Sequence, residues 1–562
     1  MLSTDLRAWR RLALLTTLSL VVAACGGSTA SESPADGGGA TAAPTDAATG
    51  GPAMGGSIVA VVEGEPASVD PAFDYDFVSG LATSSITEPL LIFCENDTKL
   101  CPNLAESWTV SDDQLTYTLK IRQGVKFHDG SEMTVDDVVY SLLRIRDGTA
   151  NGASYVAWML GNVKDVTAAD ASTVVITLTR PDALFEYALA STAAHVVSKA
   201  VVEAAGKDYG TPGVGSIGTG PFKFVEWKTG DYQKLARNDD YWNKAAGGPY
   251  LDEITIKILP EPTTRVAGLQ TGEIDYLINN VPSDQYATVQ GLDNVTLSFV
   301  PSYYGEWITM NTQQAPFDNV KVRQALNYAL DKRAIRQLYY GADALETKAT
   351  LVNPTLWEAF EKDAWAAAWE ALPAYDQDLE KAKQLLDESG VADQLNGKTI
   401  AYYESTPSIK GIAEAFIDSM GKLGITIEAR KVTYQEAVSL QFGEHNDYDL
   451  LVGSWGSDFP DPSGNLRPNF ASENIVAGGA NASAYKNAKV DELLAAQDQL
   501  PGDKMQRAKL LIEAQALIAE DSPVLVVSYP GWPLAVNKRL GGVEAASLWY
   551  WQSLFKNVYV KE

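Results

Sequence analysis

Apolar and polar positions alternate through most of the first half of the chain. SIVAVVEG (57–64) has the period of a strand, and LAESWTVSDDQLTYTLKIRQG carries two short strands around a turn near 106–123, with Tyr117, Leu119 and Ile121 spaced by two. Further strands are predicted at 173–179, 221–227, 253–259 and 273–278. Among them one helix opens at Thr134, where Thr134 and Asp137 make a capping box. Its apolar face is Val135, Val138, Val139, Leu142 and Leu143.

From about residue 318 the period lengthens to that of a helix. One helix is predicted through DNVKVRQALNYALDKRAIRQLYY (318–340) and another through DLEKAKQLLDESG, closed by Gly390. Then follow strand 399–403, the helix IKGIAEAFIDSMGKLG, strand 425–429, a short helix 435–442 and strand 448–454. Strands alternating with helices give a parallel sheet with helical cover. Helices 489–499 and 503–520 precede the apolar strand PVLVVSY (523–529), after which the tail turns β-like. Two halves of different texture, with a tail like the first, predict an α/β molecule of two lobes. The chain crosses between them near 303–311 and returns near 522–530, so a two-stranded hinge and a cleft are expected.

The N-terminus has another character. Arg7, Arg10 and Arg11 precede an apolar run, Leu12 to Val22, that is too short for a bilayer-spanning helix of ~20 residues. Val22-Ala23-Ala24-Cys25 resembles the lipobox of bacterial lipoproteins, which implies cleavage before Cys25 and lipid on its thiol and new amino group. Residues 26–56 contain no aromatic residue and are rich in Gly, Ala, Ser and Thr. They are expected to form a flexible tether with a reach of roughly 30 Å. The expected location is therefore the extracytoplasmic face of a cell membrane, by lipid anchor. Cys94 and Cys101 flank a polar turn, and export makes a disulfide between them permissible.

Charge then narrows the partners. Against 44 Lys and Arg stand 72 Asp and Glu, a net charge of −28. With no run of basic residues, a nucleic-acid partner is excluded. Enzymatic motifs are equally scarce. The histidines His128, His195 and His445 form no HExxH pair, and neither a metal site nor a cofactor is expected. Gly213-Val-Gly215-Ser-Ile-Gly218 satisfies G-x-G-x-x-G but leads into a strand, so it is a Gly-rich turn. Asp458 and Asp461 in WGSDFPDP leave open a paired-carboxylate hydrolase, although a Pro-containing loop does not fix their separation.

Ligands of an open parallel sheet bind beyond the carboxyl ends of its strands. Strand 399–403 ends at Glu404, and strand 448–454 ends at Trp455-Gly456-Ser457-Asp458. This edge offers an indole, a glycine that lets a ligand approach the backbone, and a carboxylate, the ingredients of a small-molecule site. Tyr303, Tyr304 and Trp307 lie at the first crossing, and Tyr75 completes the candidate set. A turn-capping role for Asp458 stays open at this point.

Three blocks carry a wider resemblance: AESWTVSDDQLTYTLKIRQGVKFHDGSEMTVDDVVYSLLRI (105–145), GTGPFKFVEWKTGDYQKLARNDDYW (218–242) and MNTQQAPFDNVKVRQALNYALDKRAI (310–335). They resemble family 5 extracellular solute-binding proteins, the oligopeptide, dipeptide and nickel receptors of ABC importers. The resemblance implies a type II, cluster C, periplasmic-binding-protein-like fold with an extra subdomain at roughly 86–205. Lobe I would comprise 57–309 and 523–562, and lobe II 310–522. His128 would be structural. The resemblance also implies that Trp455 lines the cleft and that Asp458 receives a peptide's α-ammonium group. The chain is then a monomeric binding protein, not an enzyme, serving a permease and its ATPase subunits. The same fold around an oligosaccharide or a metal chelate, or a secreted hydrolase, are the alternatives.

Overall fold

The computed structural model describes residues 52–94, 99–279, 281–341, 345–358, 360–443, 447–476, 479–544, 547–548 and 551–561. Cys25, the export segment and most of the tether lie outside the described residues.

Three sheets organise the chain. The first has seven strands, in the order Val295–Val300, Trp532–Asn537, Tyr276–Ile278, Ser57–Val62, Glu253–Ile258, Tyr232–Arg237 and Phe222–Lys228. Ser57–Val62 runs parallel to both its neighbours, and the other pairs are antiparallel. Ile254, Ile256 and Ile258 are buried while the residues between them are half-buried, which is the period-two signature that the sequence carries. The opposite face, with Val61, Leu277 and Ala535, packs on Val266 and Leu269 of the helix Pro262–Thr271.

The second sheet has five strands, in the order Ile427–Lys431, Lys398–Tyr402, Leu450–Gly456, Tyr304–Met310 and Val524–Ser528. The first three are parallel, as the strand and helix alternation requires. The last two are antiparallel additions, so the sheet is mixed. Helices Val320–Ala329, Leu379–Ser389 and Pro407–Lys422 share a core with it. A third sheet, of four antiparallel strands, joins Ala105–Val110, Thr116–Ile121, Thr173–Leu178 and Val163–Asp170. The helix Val135–Asp147 buries Val135, Val138 and Leu142 beneath it, and the Thr134–Asp137 capping box is formed.

The chain passes between the first two sheets twice, at residues 301–303 and 529–531. Ser302 Oγ bonds the Pro530 carbonyl, and Asn353 Nδ2 donates to the Ser302 carbonyl at 2.9 Å, so the two passages are tied together. The expected lobe limits 57–309 with 523–562 and 310–522 assign residues 304–309 and Val524–Ser528 to the first lobe. Both strands instead pair within the second sheet, because their hydrogen-bond register runs against Leu450–Gly456 and against each other.

A second correction concerns the helix expected over 318–340. It is two helices, Val320–Ala329 and Lys332–Tyr340. Leu330 is extended, and the Asp331 carboxylate accepts from the Ala334 N–H at 2.9 Å, which starts a new helix where the apolar period alone shows no break. Cys94 and Cys101 are joined by a disulfide across a small hairpin, with Cα atoms 6.0 Å apart. The Gly-rich segment 213–218 is a turn ahead of Phe222–Lys228. Gly218 is required there because a Cβ would meet the Ile86 carbonyl at 2.2 Å.

Candidate functional site

The strand Leu450–Gly456 begins fully buried and is half-buried at its end, from Ser454 to Gly456. Tyr304 stands opposite Gly456 and Gly305 opposite Trp455 on the antiparallel neighbour. At this strand end lies a cavity of about 320 Å³, near the small end of ordinary ligand pockets. One wall comes from the segment after the first strand: Asp74, Tyr75, Asp76 and Phe77. A second comes from Tyr403, Tyr434 and Phe442, and the C-terminal stretch closes a third with Trp532 and Trp551.

Local chemistry sets these rings in place. Asp76 caps the helix Phe77–Ile86 by accepting from the N–H groups of Val78 and Ser79, which fixes Phe77 at its first position. A Thr433–Glu436 capping box does the same for Tyr434. The rings then pack on one another: Phe77 and Tyr304 on Trp532 at 5.0 and 5.1 Å between centroids, Phe442 on Trp455 at 5.5 Å, and Tyr403 on Tyr434 at 5.3 Å. Among the described residues the indole N–H groups of Trp455 and Trp532 have no hydrogen-bond partner.

Asp458 follows the strand and is 8% exposed. Tyr75 donates its hydroxyl to Oδ2 at 2.8 Å, and Trp551 Nε1 donates to the Asp458 carbonyl at 2.9 Å. Tyr75 in turn stacks on Trp551, 6.4 Å between centroids. Burial pushes the Asp458 carboxyl up to about 7, against the smaller opposing effect of the Tyr75 hydroxyl. Among the described residues no lysine, arginine or histidine lines this cavity and no ion pair reaches Asp458. A carboxyl so placed can accept a cation but is not supplied with one.

Of the sequence candidates, Asp458, Trp455, Gly456, Ser457, Tyr303, Tyr304 and Tyr75 all line the cavity. Two of them have duties other than those expected. Gly456 is needed because Tyr304 packs on it, a Cβ there lying 3.0 Å from the ring. Ser457 spends its hydroxyl on the Phe459 carbonyl at 2.7 Å, which shapes the turn. Glu404 stands away from the cavity and forms ion pairs with Lys431 and Lys410, because the side chain that turns inward at that strand end is Tyr403. Trp307 is core, with its indole on Thr309 at 3.1 Å.

The enzymatic alternatives lose their geometry. Asp461 is fully buried and held by Arg507 through two bonds of 2.8 and 3.0 Å, so it is not the partner of Asp458 in a hydrolytic pair. His128 bonds the Gly220 carbonyl at 3.0 Å and burial pushes it down to about 4, which makes it structural. Among the described residues no group of three or more His, Cys, Asp or Glu side chains is placed to hold a metal.

Sequence reasoning did not reach Asp74, Phe77, Tyr403, Tyr434, Phe442, Trp532 or Trp551. The caps at Asp76 and Thr433 are signals that could have placed Phe77 and Tyr434 at helix starts.

The profile of the bacterial extracellular solute-binding proteins, family 5 (middle region), matches residues 99–476. The chain is 32% identical over 502 residues to Heme-binding protein A of Haemophilus influenzae, covering 85% of this chain and 88% of that protein. It is 31% identical over 554 residues to Oligopeptide-binding protein AppA of Bacillus subtilis, covering 94% and 95%. Its structure is similar to that of the periplasmic binding protein DppA from Helicobacter pylori in complex with the peptide STSA. That likeness has a TM-score of 0.77 at 26% identity, over 91% of this chain and 99% of the other.

Proposed function

Because the chain belongs to the family 5 bacterial extracellular solute-binding proteins, we propose that it captures a short peptide in the cavity and presents it to the permease of an ABC importer. The solved relatives hold a tetrapeptide in one case and a nonapeptide in another. In this reading Asp458 accepts the peptide's α-ammonium group. The observation that carries it is the buried Asp458 carboxyl, bonded to the Tyr75 hydroxyl and without a cation among the described residues. An ammonium group restores the charge that burial disfavours and adds charge-assisted hydrogen bonds. A solute whose only charges are carboxylates has nothing to gain against this wall.

The two passages at 301–303 and 529–531 act as the hinge, and ligand contacts from both walls favour the closed arrangement. The lipid on Cys25 and the tether keep the receptor near the permease and its ATPase subunits. Among the described residues no helix is long and apolar enough to cross a membrane.

Calorimetry tests the proposal on protein stripped of ligand by unfolding and refolding. Ala-Ala-Ala should bind, its N-acetyl derivative should not, and both should be recovered uncleaved. Equal binding of the two peptides removes the ammonium anchor, and turnover removes the receptor reading.

A further inference from the structure

Besides Asp458 the cavity is lined by Asp76, which caps a helix, and by Asp74, which the ammonium anchor does not use. Asp74 lines the cavity beside Tyr75, is 3% exposed, and its Oδ2 has no hydrogen-bond partner among the described residues. Its carboxyl is pushed well up, first by burial and then by the like charges of Asp76 and Asp70, while a Thr83 hydrogen bond opposes. At Asp458 the causes are burial and the Tyr75 hydroxyl alone, so the two acids sit in separate electrostatic surroundings. A buried carboxyl oxygen without a partner is costly to keep, and it persists in a binding cavity when a ligand supplies the partner.

The rest of the lining agrees. The cavity is lined by aromatic rings, among them Tyr304, Tyr434 and Trp532, a residue type whose faces attract cations. The indole N–H groups of Trp455 and Trp532, without a partner among the described residues, donate to ligand carbonyls, and no cationic side chain among the described lining residues competes for Asp74. We infer that the receptor selects peptides carrying a basic side chain, lysine or arginine, whose cation is taken by Asp74 while the α-ammonium goes to Asp458. This inference rests on the peptide reading and adds the substrate class to it.

The test compares Ala-based tripeptides that carry lysine or norleucine at each position in turn, by calorimetry on the stripped full-length protein. Norleucine keeps the stem and removes the charge. At one position lysine should bind about tenfold or more tightly than norleucine, the scale of one hydrogen bond to a charged group. In Asp74→Asn that ratio should fall to about one, with Asp74→Ser as the second variant should Asp74→Asn melt early. Equal affinities for lysine and norleucine at every position overturn the inference and leave peptide binding standing. A ratio that survives in the Asp74 variants also overturns it, because another group then reads the charge. If no tripeptide binds, the peptide reading itself falls, and this inference with it.

Discussion

Asp458→Asn should make the empty protein more stable and the receptor worse. Asp458 is buried, and its carboxyl is pushed from an ordinary 3.8 up to about 7. In the unfolded chain the same group titrates near the ordinary value. The folded state therefore holds the proton over a range in which the unfolded state has released it. Stability from this group is fully present below pH ~4 and is lost as pH rises through about 7. The total loss is about 4 kcal/mol, reached near pH 8, at ~1.4 kcal/mol per tenfold step. Asparagine has nearly the same shape, and its Oδ1 can still accept from the Tyr75 hydroxyl, but it never ionises. Chemical denaturation of ligand-free protein, followed by tryptophan fluorescence, gives the variant-minus-wild-type difference at each pH. That difference should be small at pH 4, grow by ~1.4 kcal/mol per pH unit to about pH 7, and flatten above it. Every other titrating group cancels in the difference. A flat difference, or a variant less stable at pH 8, would refute the argument that Asp458 is a destabilised, waiting charge.

The ligand should reverse that cost. Because an ammonium group requires the ionised carboxylate, affinity for Ala-Ala-Ala should fall by up to about tenfold per pH unit below about 7, and calorimetry at pH 6 in buffers of different ionisation heat should show proton release on binding. Tyr75→Phe removes a hydrogen bond that lowers the Asp458 carboxyl, so the midpoint of the affinity-versus-pH curve should move upward; an unmoved midpoint would mean that the 2.8 Å bond does not hold in solution. Arg507→Met leaves Asp461 buried without its cation and should cost about 3–5 kcal/mol in denaturation, while Lys431→Met, at an exposed pair with Glu404, should leave the denaturation midpoint nearly unchanged.

The sequence displayed Glu253–Ile258 and Thr116–Ile121 because their buried and less buried residues alternate, as in Ile254, Ile256 and Ile258. Tyr232–Arg237, Val295–Val300 and Val163–Asp170 were not read from it. It concealed the break at Leu330, since the apolar spacing continues through it and only the Asp331 cap, a common residue in a common place, marks the new helix. The mixed order of the second sheet was also hidden, because strand direction is settled by partners distant in sequence. At the site, the end of a parallel strand was enough to point to Trp455 and Asp458. Asp74, Trp532 and Trp551 come from segments with no local motif, and they meet that strand end only through the fold. Glu404 shows the limit of the same rule: the strand end was found correctly, but the side chain that turns inward there is Tyr403.

The placement of Trp532–Asn537 has a consequence for how the protein is made. That strand lies inside the seven-stranded sheet, and Val295–Val300 has no other partner in it. A chain that is synthesised from its N-terminus cannot complete this sheet until residues 532–537 have emerged. Until then the edge of Tyr276–Ile278 stays bare, so a product cut short before residue 532 should be prone to aggregate.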